Sequence, residues 1–529
     1  KQAIIKPNPY LNATLILQAY WGALFCKLFG FTFTTLRCST LALSCINAWA
    51  VARCGLSLGL SRPWSLLCGT VVMTQPLMLG LSYSFMTDIP FLTLATLAGL
   101  CFLKTLKGLS TPLVLLGSVL GVGSFFVRQF GLLIPLAFVI TLGILQFRQR
   151  IRPRAEIWLA VLIPWVIAAF LYWFFAPNLQ SETPILESTG DRLWVVLLDS
   201  IRYLPVSVTG FGALVLPLGL VQIWQGYKSW NKQQWILFGG FCGTSLVAFV
   251  LPQILFVINK TLVQKESLWL KYFPYRMPFF ANGILLNFGF GNDWSPNLDN
   301  YPVIDCAYGW WVATLLGLGV GGAIVVKAWE QFQFWRCNSS NQIRTSQALD
   351  AQVLFLWLWV FLALLVLWNP WRSVLTDRYL LVAYVPLTLV MASEIRSFSH
   401  RKAIKWAALG AGIVLVLGLV LVQDYMAWNR TASTAQYKLM DEDRISAAAI
   451  AGIDQLNGWY NSEQYMKRYN TRNWWDLKIG GKGRWVLDDR YVIDFKEPRP
   501  GYQALERMPY FSWWGWQTKN VIIFKRLGS

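Results

Sequence analysis

Residues 111–147, TPLVLLGSVLGVGSFFVRQFGLLIPLAFVITLGILQF, carry a single charged side chain, that of Arg128. The apolar run on each side of Arg128 is close to the roughly 20 residues that a helix needs to cross about 30 Å of hydrocarbon. Backbone polar groups in lipid must be paired within their own segment, so both runs are expected to be helices. The stretch predicts two membrane spans joined by a short polar turn at Arg128 and Gln129.

The rest of the chain has the same character. Of its 529 residues, 55% are hydrophobic and only 14% are charged, whereas an ordinary soluble domain is about 25% charged. Twelve apolar runs are predicted to span a membrane, near residues 37–55, 64–82, 88–106, 109–127, 129–146, 155–176, 204–225, 234–256, 310–327, 352–369, 378–394 and 405–423. The predicted fold class is therefore an all-α polytopic membrane protein, with its transmembrane domain over residues 37–423.

The net charge of +20 is distributed unevenly between the loops. Short loops of one alternating set are rich in Lys and Arg, as in residues 148–154, and contain few acids. The longest loops of the opposite set mix both signs. This is the positive-inside asymmetry, which predicts that the basic set is cytoplasmic. A nucleic-acid partner is disfavoured, because its basic residues would cluster on one binding face.

This orientation makes residues 1–36 the first extracytoplasmic loop, and twelve crossings return residues 424–529 to the same side. The sequence begins at Lys1 without a signal-like segment. We therefore expect an upstream span, which would give thirteen crossings in the intact protein. The predicted location is the inner or plasma membrane.

Residues 424–529 are predicted to form a small extracytoplasmic α+β domain. A helix-like stretch covers about 438–456, and strand-like alternation follows over 485–495 and 520–526. Gly480-Gly481 and Pro498–Gly501 are predicted turns.

Charged side chains at the outer membrane boundary are the candidates for a site, because they are costly there and usually functional. Asp88 begins a span. Its carboxylate could cap the helix, bind a metal or substrate, or pair with a neighbouring cation. Arg128 lies on the side where positive-inside bias disfavours it, which indicates an anion, and phosphate suits a guanidinium group.

Two further cations are predicted on the same face. Arg378, with Tyr379, follows Asp377 at another outer helix start; Arg378 could alternatively snorkel or pair with Asp377. Lys6 precedes the first predicted span. An acid and several cations at headgroup depth could bind a lipid-linked phosphate and catalyse a reaction there.

Four stretches together resemble motifs of the GT-C membrane glycosyltransferases, specifically the bacterial relatives of protein O-mannosyltransferases and of aminoarabinose transferase. Each stretch alone is weak, whereas their order, spacing and shared predicted side make the set moderately specific. The stretches are Lys6–Tyr10 with Lys27–Gly30 and Arg37, similar to the family's first-loop exit; Thr87–Pro90, similar to T-D-x-P; Phe126–Gly131, similar to L-T-K-G with Arg in place of Lys; and Asp377–Leu381 with Pro386, similar to R-Y-L-L…P. In the tail, Ile453–Tyr460 and Asp488–Ile493 resemble the tails of some bacterial members.

The resemblance implies transfer of a sugar from a polyprenyl-phosphate donor to a hydroxyl of a lipid, glycan or protein acceptor. It implies that Lys6, Arg128 and Arg378, with Gln129 and Tyr379 from the same motifs, bind the donor. Asp88 would support the site. The family's first-loop acid, the general base, has no counterpart in residues 1–36, which contain no Asp or Glu. That acid is expected upstream of Lys1, or the chain is an inactive relative.

Two other interpretations stay open. The first is a transporter or flippase of lipid-linked glycans, although the interiors of the predicted spans contain no Asp or Glu of the kind that ion-coupled carriers use. The second is a catalytically dead membrane scaffold. No cofactor is indicated, and no ligand cluster supports a divalent cation, which remains an alternative. The sugar and the acceptor are not encoded in any pattern that we recognise.

Overall fold

The computed structural model describes residues 16–175, 204–258, 290–291, 304–305, 307–337, 346–368, 377–395, 401–469 and 485–528. This part of the chain is mostly helical and ends in a small sheet. The helices are α1 Ile16–Phe29, α2 Phe33–Ser57, α3 Arg62–Thr74, α4 Pro76–Ser82, α5 Asp88–Thr105, α6 Thr111–Phe125, α7 Leu133–Phe147, α8 Ala155–Phe175, α9 Leu204–Leu214, α10 Leu216–Gly226, α11 Lys232–Ile258, α12 Ala307–Cys337, α13 Ser346–Leu367, α14 Leu381–Ile395, α15 Arg401–Tyr437 and α16 Asp454–Tyr469. Short 3-10 helices, Gln129–Leu132 and Asp377–Leu380, precede α7 and α14.

Eight helical segments in the described residues are long and apolar enough to cross a membrane. The count rises to as many as eleven if each sharply bent helix pair is one span. Each of the twelve predicted runs coincides with a helix or a bent pair, but α6 has only 15 residues and is shorter than a usual span. These helices agree with the predicted class, a polytopic helical membrane protein. The described residues contain eight to eleven candidate spans.

Prolines explain two of the bends that the sequence analysis did not predict. The run 64–82 is divided into α3 and α4, which meet at 68°, and the run 204–225 into α9 and α10, which meet at 95°. Pro76 begins α4 and Pro217 lies in the first turn of α10. Proline has no N–H for the helical ladder and clashes with the carbonyl four residues earlier, so it is tolerated in the first turn of a helix and each run breaks before it.

The segment 1–36, predicted as a loop, contains the apolar helix α1. The helix is followed by Gly30 at φ 81°, a left-handed conformation that terminates helices at little cost in glycine. Thr32 then caps α2, since its side chain accepts a hydrogen bond from the backbone N–H of Thr35 at 2.9 Å. Because of this break, α1 and α2 meet at 118°, and α2 begins at Phe33 rather than near residue 37.

The described chain divides into two compact units. The first comprises residues 1–284 and 307–415, and the second comprises residues 285–306 and 416–529. In the first unit, α5 and α14 are buried along most of their length, whereas α8 exposes Ile163, Val166 and Phe170. An exposed apolar helix face of this kind is unfavourable in water and suits contact with lipid.

Small residues allow helices of the first unit to approach closely. A Cβ atom built on Gly212 of α9 would lie 2.0 Å from the backbone oxygen of Gly317 in α12. No larger residue fits at this crossing without displacing a backbone. Close approach at glycines is a common way of packing helices where lipid removes the hydrophobic driving force.

Basic side chains gather where α7 and α14 end. Arg148 and Arg150 lie against the ring of Trp335, with guanidinium carbons 5.5 and 5.0 Å from its centroid. Lys327 pairs with Glu330 at 2.7 Å and with Glu394 at 3.7 Å. These residues belong to the basic set that the sequence analysis assigned to one side of the membrane.

The second unit contains a four-stranded sheet in the order β3-β4-β6-β5. Its strands are β3 Ile450–Ala451, β4 Tyr491–Asp494, β5 Tyr502–Ser512 and β6 Gln517–Arg526, and a separate two-stranded parallel pair joins β1 Phe290–Gly291 to β2 Ile304–Asp305. β3 pairs with β4 in parallel, and the other two pairings are antiparallel. One face of the sheet packs on the end of α15 and the turn after it, where Trp428 and Leu439 share a buried core with Ile493 and Ile523.

The α+β class of this region is confirmed, but the predicted helix over 438–456 is wrong. α15 continues to Tyr437, a single π-helical turn covers Lys438–Glu442, and the next α-helix begins only at Asp454. Strand β5 was not predicted, because Glu506, Arg507 and Pro509 interrupt its apolar alternation. β5 lies at the sheet edge, the position where a strand tolerates proline. Pro498–Gly501 lies in the β4–β5 connection as expected, and Gly480-Gly481 falls outside the described residues.

Candidate functional site

A buried ion pair joins the start of α5 to the turn between α6 and α7. Nη1 of Arg128 donates to Oδ1 of Asp88. The Asp88 side chain is 1% exposed and that of Arg128 is 13% exposed. A buried carboxylate is unstable without a compensating charge, so each partner requires the other. Among the described residues Asp88 accepts no backbone N–H, so it anchors a cation rather than capping α5.

The turn that carries Arg128 is held by its own backbone. The N–H of Arg128 donates to the carbonyl oxygen of Ser124 at 2.9 Å, and the Arg128 carbonyl accepts from the N–H of Gly131 at 2.9 Å. A Cβ atom on Gly131 would lie 2.2 Å from the backbone nitrogen of Phe125. Only glycine lets the chain return this closely to the end of α6 and direct Arg128 toward Asp88.

Replacing Gly131 with Ala is therefore expected to lower the free energy of unfolding by about 1–3 kcal/mol, as overpacking against a backbone does. Thermal unfolding of the purified chain would measure this. Gly143 of α7 is the matched control, because a Cβ there meets nothing within 4 Å. Gly143→Ala should be neutral or slightly stabilising; equal stability of the two variants would contradict the tight turn.

Aromatic rings bring Arg128 and Arg378 together. The Arg128 guanidinium carbon lies 5.5 Å from the centroid of Phe130 and 5.3 Å from that of Tyr379. The guanidinium carbon of Arg378 lies 5.4 Å from the same Tyr379 ring. Each contact is within cation–π range and restricts the position of its guanidinium group. Two cations from different parts of the sequence thus share one tyrosine.

Arg378 is less tightly constrained than Arg128. It lies in the 3-10 helix before α14, where its backbone N–H donates to Oδ1 of Asp377 at 2.7 Å. Within the described ranges, no carboxylate pairs with its guanidinium group, so the predicted alternative of an Arg378–Asp377 side-chain ion pair is not seen there. The donors of a half-buried guanidinium group that pairs with no carboxylate among the described residues suit an external anion.

The beginning of α1 lies beside the same loops. The Leu17 N–H donates to the carbonyl oxygen of Phe126 at 3.3 Å, and Nε2 of Gln18 donates to that of Phe85 at 2.8 Å. Sequence reasoning missed Gln18, although a glutamine within an apolar helix is a signal that could have identified it. Lys6 precedes α1 by ten positions and lies outside the described residues.

The structure thus brings Asp88, Arg128, Arg378 and Tyr379 together at one end of the first unit. Gln129 is adjacent and exposed, as the first residue of the 3-10 helix. Phe130 was not predicted as a site residue. Its ring contacts the Arg128 guanidinium group and packs edge-on against Tyr379, with ring centroids 5.9 Å apart.

One oxygen of the site has no partner in the described structure. Oδ2 of Asp88 is buried without a hydrogen bond there, a costly state for a carboxylate oxygen. In the same ranges, no group of three His, Cys, Asp or Glu side chains is arranged to hold a metal ion. The chemistry that these residues offer is anion binding by guanidinium groups beside a buried carboxylate.

The fold places this chain in a broad class, that of helical proteins with several apolar helices of membrane-spanning length. A small sheet follows at the C-terminal end. Comparison with protein-family models gives no match, and comparison with curated protein sequences gives no significant match.

Proposed function

We propose that this protein is a glycosyltransferase that moves a sugar from a polyprenyl-phosphate donor to an acceptor hydroxyl on the extracytoplasmic side of the inner or plasma membrane. The observation that carries the proposal is the pair of guanidinium groups, Arg128 and Arg378, on the one ring of Tyr379. A phosphate on a membrane lipid is the anion that a site at the end of apolar helices would meet.

The distribution of charge supports the proposed side of the membrane. The basic cluster around Trp335 lies where α7 ends, whereas Arg128 immediately precedes the start of the same helical segment. With about 1.5 Å of rise per residue, a helix of this length separates its two ends by most of the hydrocarbon thickness. If the basic end is cytoplasmic, the Arg128 end is extracytoplasmic.

In this proposal, the acceptor oxygen attacks the anomeric carbon and the bond from that carbon to the phosphate oxygen breaks. Negative charge grows on the leaving phosphate, and Arg128 and Arg378 stabilise it from positions fixed before the reaction. The acceptor proton passes to a general base. The family resemblance assigns that role to a first-loop carboxylate, and residues 1–36 contain none. Asp88 holds Arg128 in place, and Lys6 is assigned to the phosphate by motif alone.

The test is substrate-dependent release of polyprenyl phosphate. Purified protein in detergent or nanodiscs would receive a polyprenyl-phosphate sugar and an acceptor mixture from the membranes of its source. Mass spectrometry would follow both lipid species. Stoichiometric conversion to free polyprenyl phosphate and glycosylated acceptor supports the enzyme; movement of intact donor across a vesicle without conversion supports the transporter alternative.

Tyr379 is expected to matter through its ring. Tyr379→Leu removes both cation–π contacts, each worth about 0.5–2 kcal/mol, and should reduce transfer by about fivefold or more. Tyr379→Phe keeps the ring and should retain more activity than the leucine variant. Equal losses in the two variants would show that ring contact with the arginines is not what the site requires.

A further inference from the structure

An exposed cluster of aromatic residues ends the β5–β6 hairpin. Residues 511–516, Phe-Ser-Trp-Trp-Gly-Trp, form the end of β5 and the turn into β6, and we call them the aromatic tip. Trp516 is 78% exposed, Phe511 and Trp513 are also exposed, and the rings of Phe511 and Trp516 lie 5.4 Å apart. Nothing in the proposed transfer reaction uses them.

A buried carboxylate attaches the aromatic tip to α15. Oδ2 of Asp424 accepts from Oγ of Ser512 at 2.7 Å, and Oδ1 accepts from the backbone N–H groups of Trp513 and Trp514 at 2.5 and 3.2 Å. Hydrogen bonds to an ionised carboxylate are stronger than those between neutral groups. The tip is therefore fixed at the level of Asp424 along the helix.

That level is close to an apolar, exposed part of the same helix. Val416, Leu417 and Leu419 precede Asp424 and expose large apolar side chains within the same unit. Leu419 and Asp424 are five positions apart, which is about 7.5 Å along a helix axis. The headgroup layer on each side of a bilayer is of similar thickness, about 5–8 Å.

We propose that the aromatic tip is a membrane anchor, whose rings of Phe511, Trp513 and Trp516 sit in the phospholipid headgroup layer. Two observations specify lipid as the occupant: the exposed apolar segment of α15 requires hydrocarbon around it, and Asp424 holds the tip at its boundary. Tryptophan favours that boundary because its ring is apolar and its N–H is polar. The anchor does not depend on the proposed transfer activity.

Site-specific photo-crosslinking tests the anchor without altering the native cysteines. The full chain would carry p-benzoylphenylalanine in place of Trp516, in vesicles of phosphatidylcholine and phosphatidylglycerol. The matched control carries it in place of Trp459 of α16, which is 57% exposed in the same unit. Both side chains are more than half exposed.

After irradiation, mass spectrometry of the intact chain would count phospholipid adducts. The anchor predicts a lipid-adduct yield at position 516 that exceeds the yield at position 459 by roughly fivefold or more, in keeping with the interfacial preference of tryptophan. Equal yields of lipid adduct at the two positions would overturn the anchor. So would crosslinks at position 516 that form only to an added saccharide or protein and not to phospholipid. A third position, Trp513, should behave like Trp516 if the whole tip is inserted.

Discussion

Replacing Arg128 with Gln is expected to lower the rate of sugar transfer by two to three orders of magnitude, about 10²–10³-fold, and also to destabilise the helical unit that contains it. The variant removes a cation that stabilises the leaving phosphate, an effect worth about 10²–10³ in rate for a comparable donor group. It also leaves Asp88 buried without its partner, which costs about 3–5 kcal/mol. Unfolding and transfer assays on the same preparation would measure both effects.

The double variant Asp88→Asn, Arg128→Gln separates these two effects. A neutral amide pair removes the uncompensated buried charge, so most of the lost stability should return. The rate of transfer should stay as low as in Arg128→Gln, because no cation faces the phosphate at this position. Recovery of activity in the double variant would show that Arg128 serves only to neutralise Asp88.

Arg378→Gln is expected to reduce transfer by about 10²-fold or more with little loss of stability. Its guanidinium group pairs with no carboxylate in the described part of the chain, so its removal leaves no buried charge behind. Arg378→Lys keeps the charge but loses the planar donor pair, and should fall between the wild type and the glutamine variant.

The matched control for Arg378 is Arg62→Gln. Arg62 is an exposed arginine that begins α3, at the start of a helix as Arg378 is. It belongs to the basic loop set and not to the candidate site. Initial-rate measurements should show normal transfer for Arg62→Gln and a loss for Arg378→Gln. Similar losses in both would indicate a general dependence on surface charge.

The helical class could be predicted from sequence, because a long apolar run in a bilayer must pair its backbone polar groups internally and a helix does so. The bends could not be placed in the same way, since a hydropathy average over 64–82 or 204–225 does not respond to a single Pro76 or Pro217. Helix α1 was missed for a different reason. It is only 14 residues long, below the length that a span requires, so segment 1–36 was assigned as a loop.

The members of the candidate site could be proposed from sequence, since Asp88, Arg128 and Arg378 each interrupt or begin an apolar run. Their mutual contacts could not. The burial of Asp88 implies that removing Arg128 would also cost stability, and no pattern around Arg128 indicates this. Nor does any local pattern place Tyr379 between two arginines that are 250 positions apart, because such a contact depends on how the 3-10 helices before α7 and α14 meet.

The charged strand β5 and the aromatic tip show a similar limit. β5 pairs with β6 over nearly its whole length, from Tyr502 to Ser512. Its apolar alternation is weak because one face is exposed and its edge carries charges. Asp424 follows a predicted span and gave no sign of bonding to Ser512, 88 positions away.

Direct binding of the lipid is the measurement closest to the central claim, that Arg128 and Arg378 hold a lipid-borne phosphate. Native mass spectrometry of the purified full chain would compare polyprenyl phosphate with polyprenol of the same length. We expect the phosphate lipid to bind, the alcohol to bind far more weakly, and Arg378→Gln to lower the affinity for the phosphate lipid by roughly tenfold or more. Equal binding of the two lipids, or an unchanged affinity in Arg378→Gln, would contradict the claim.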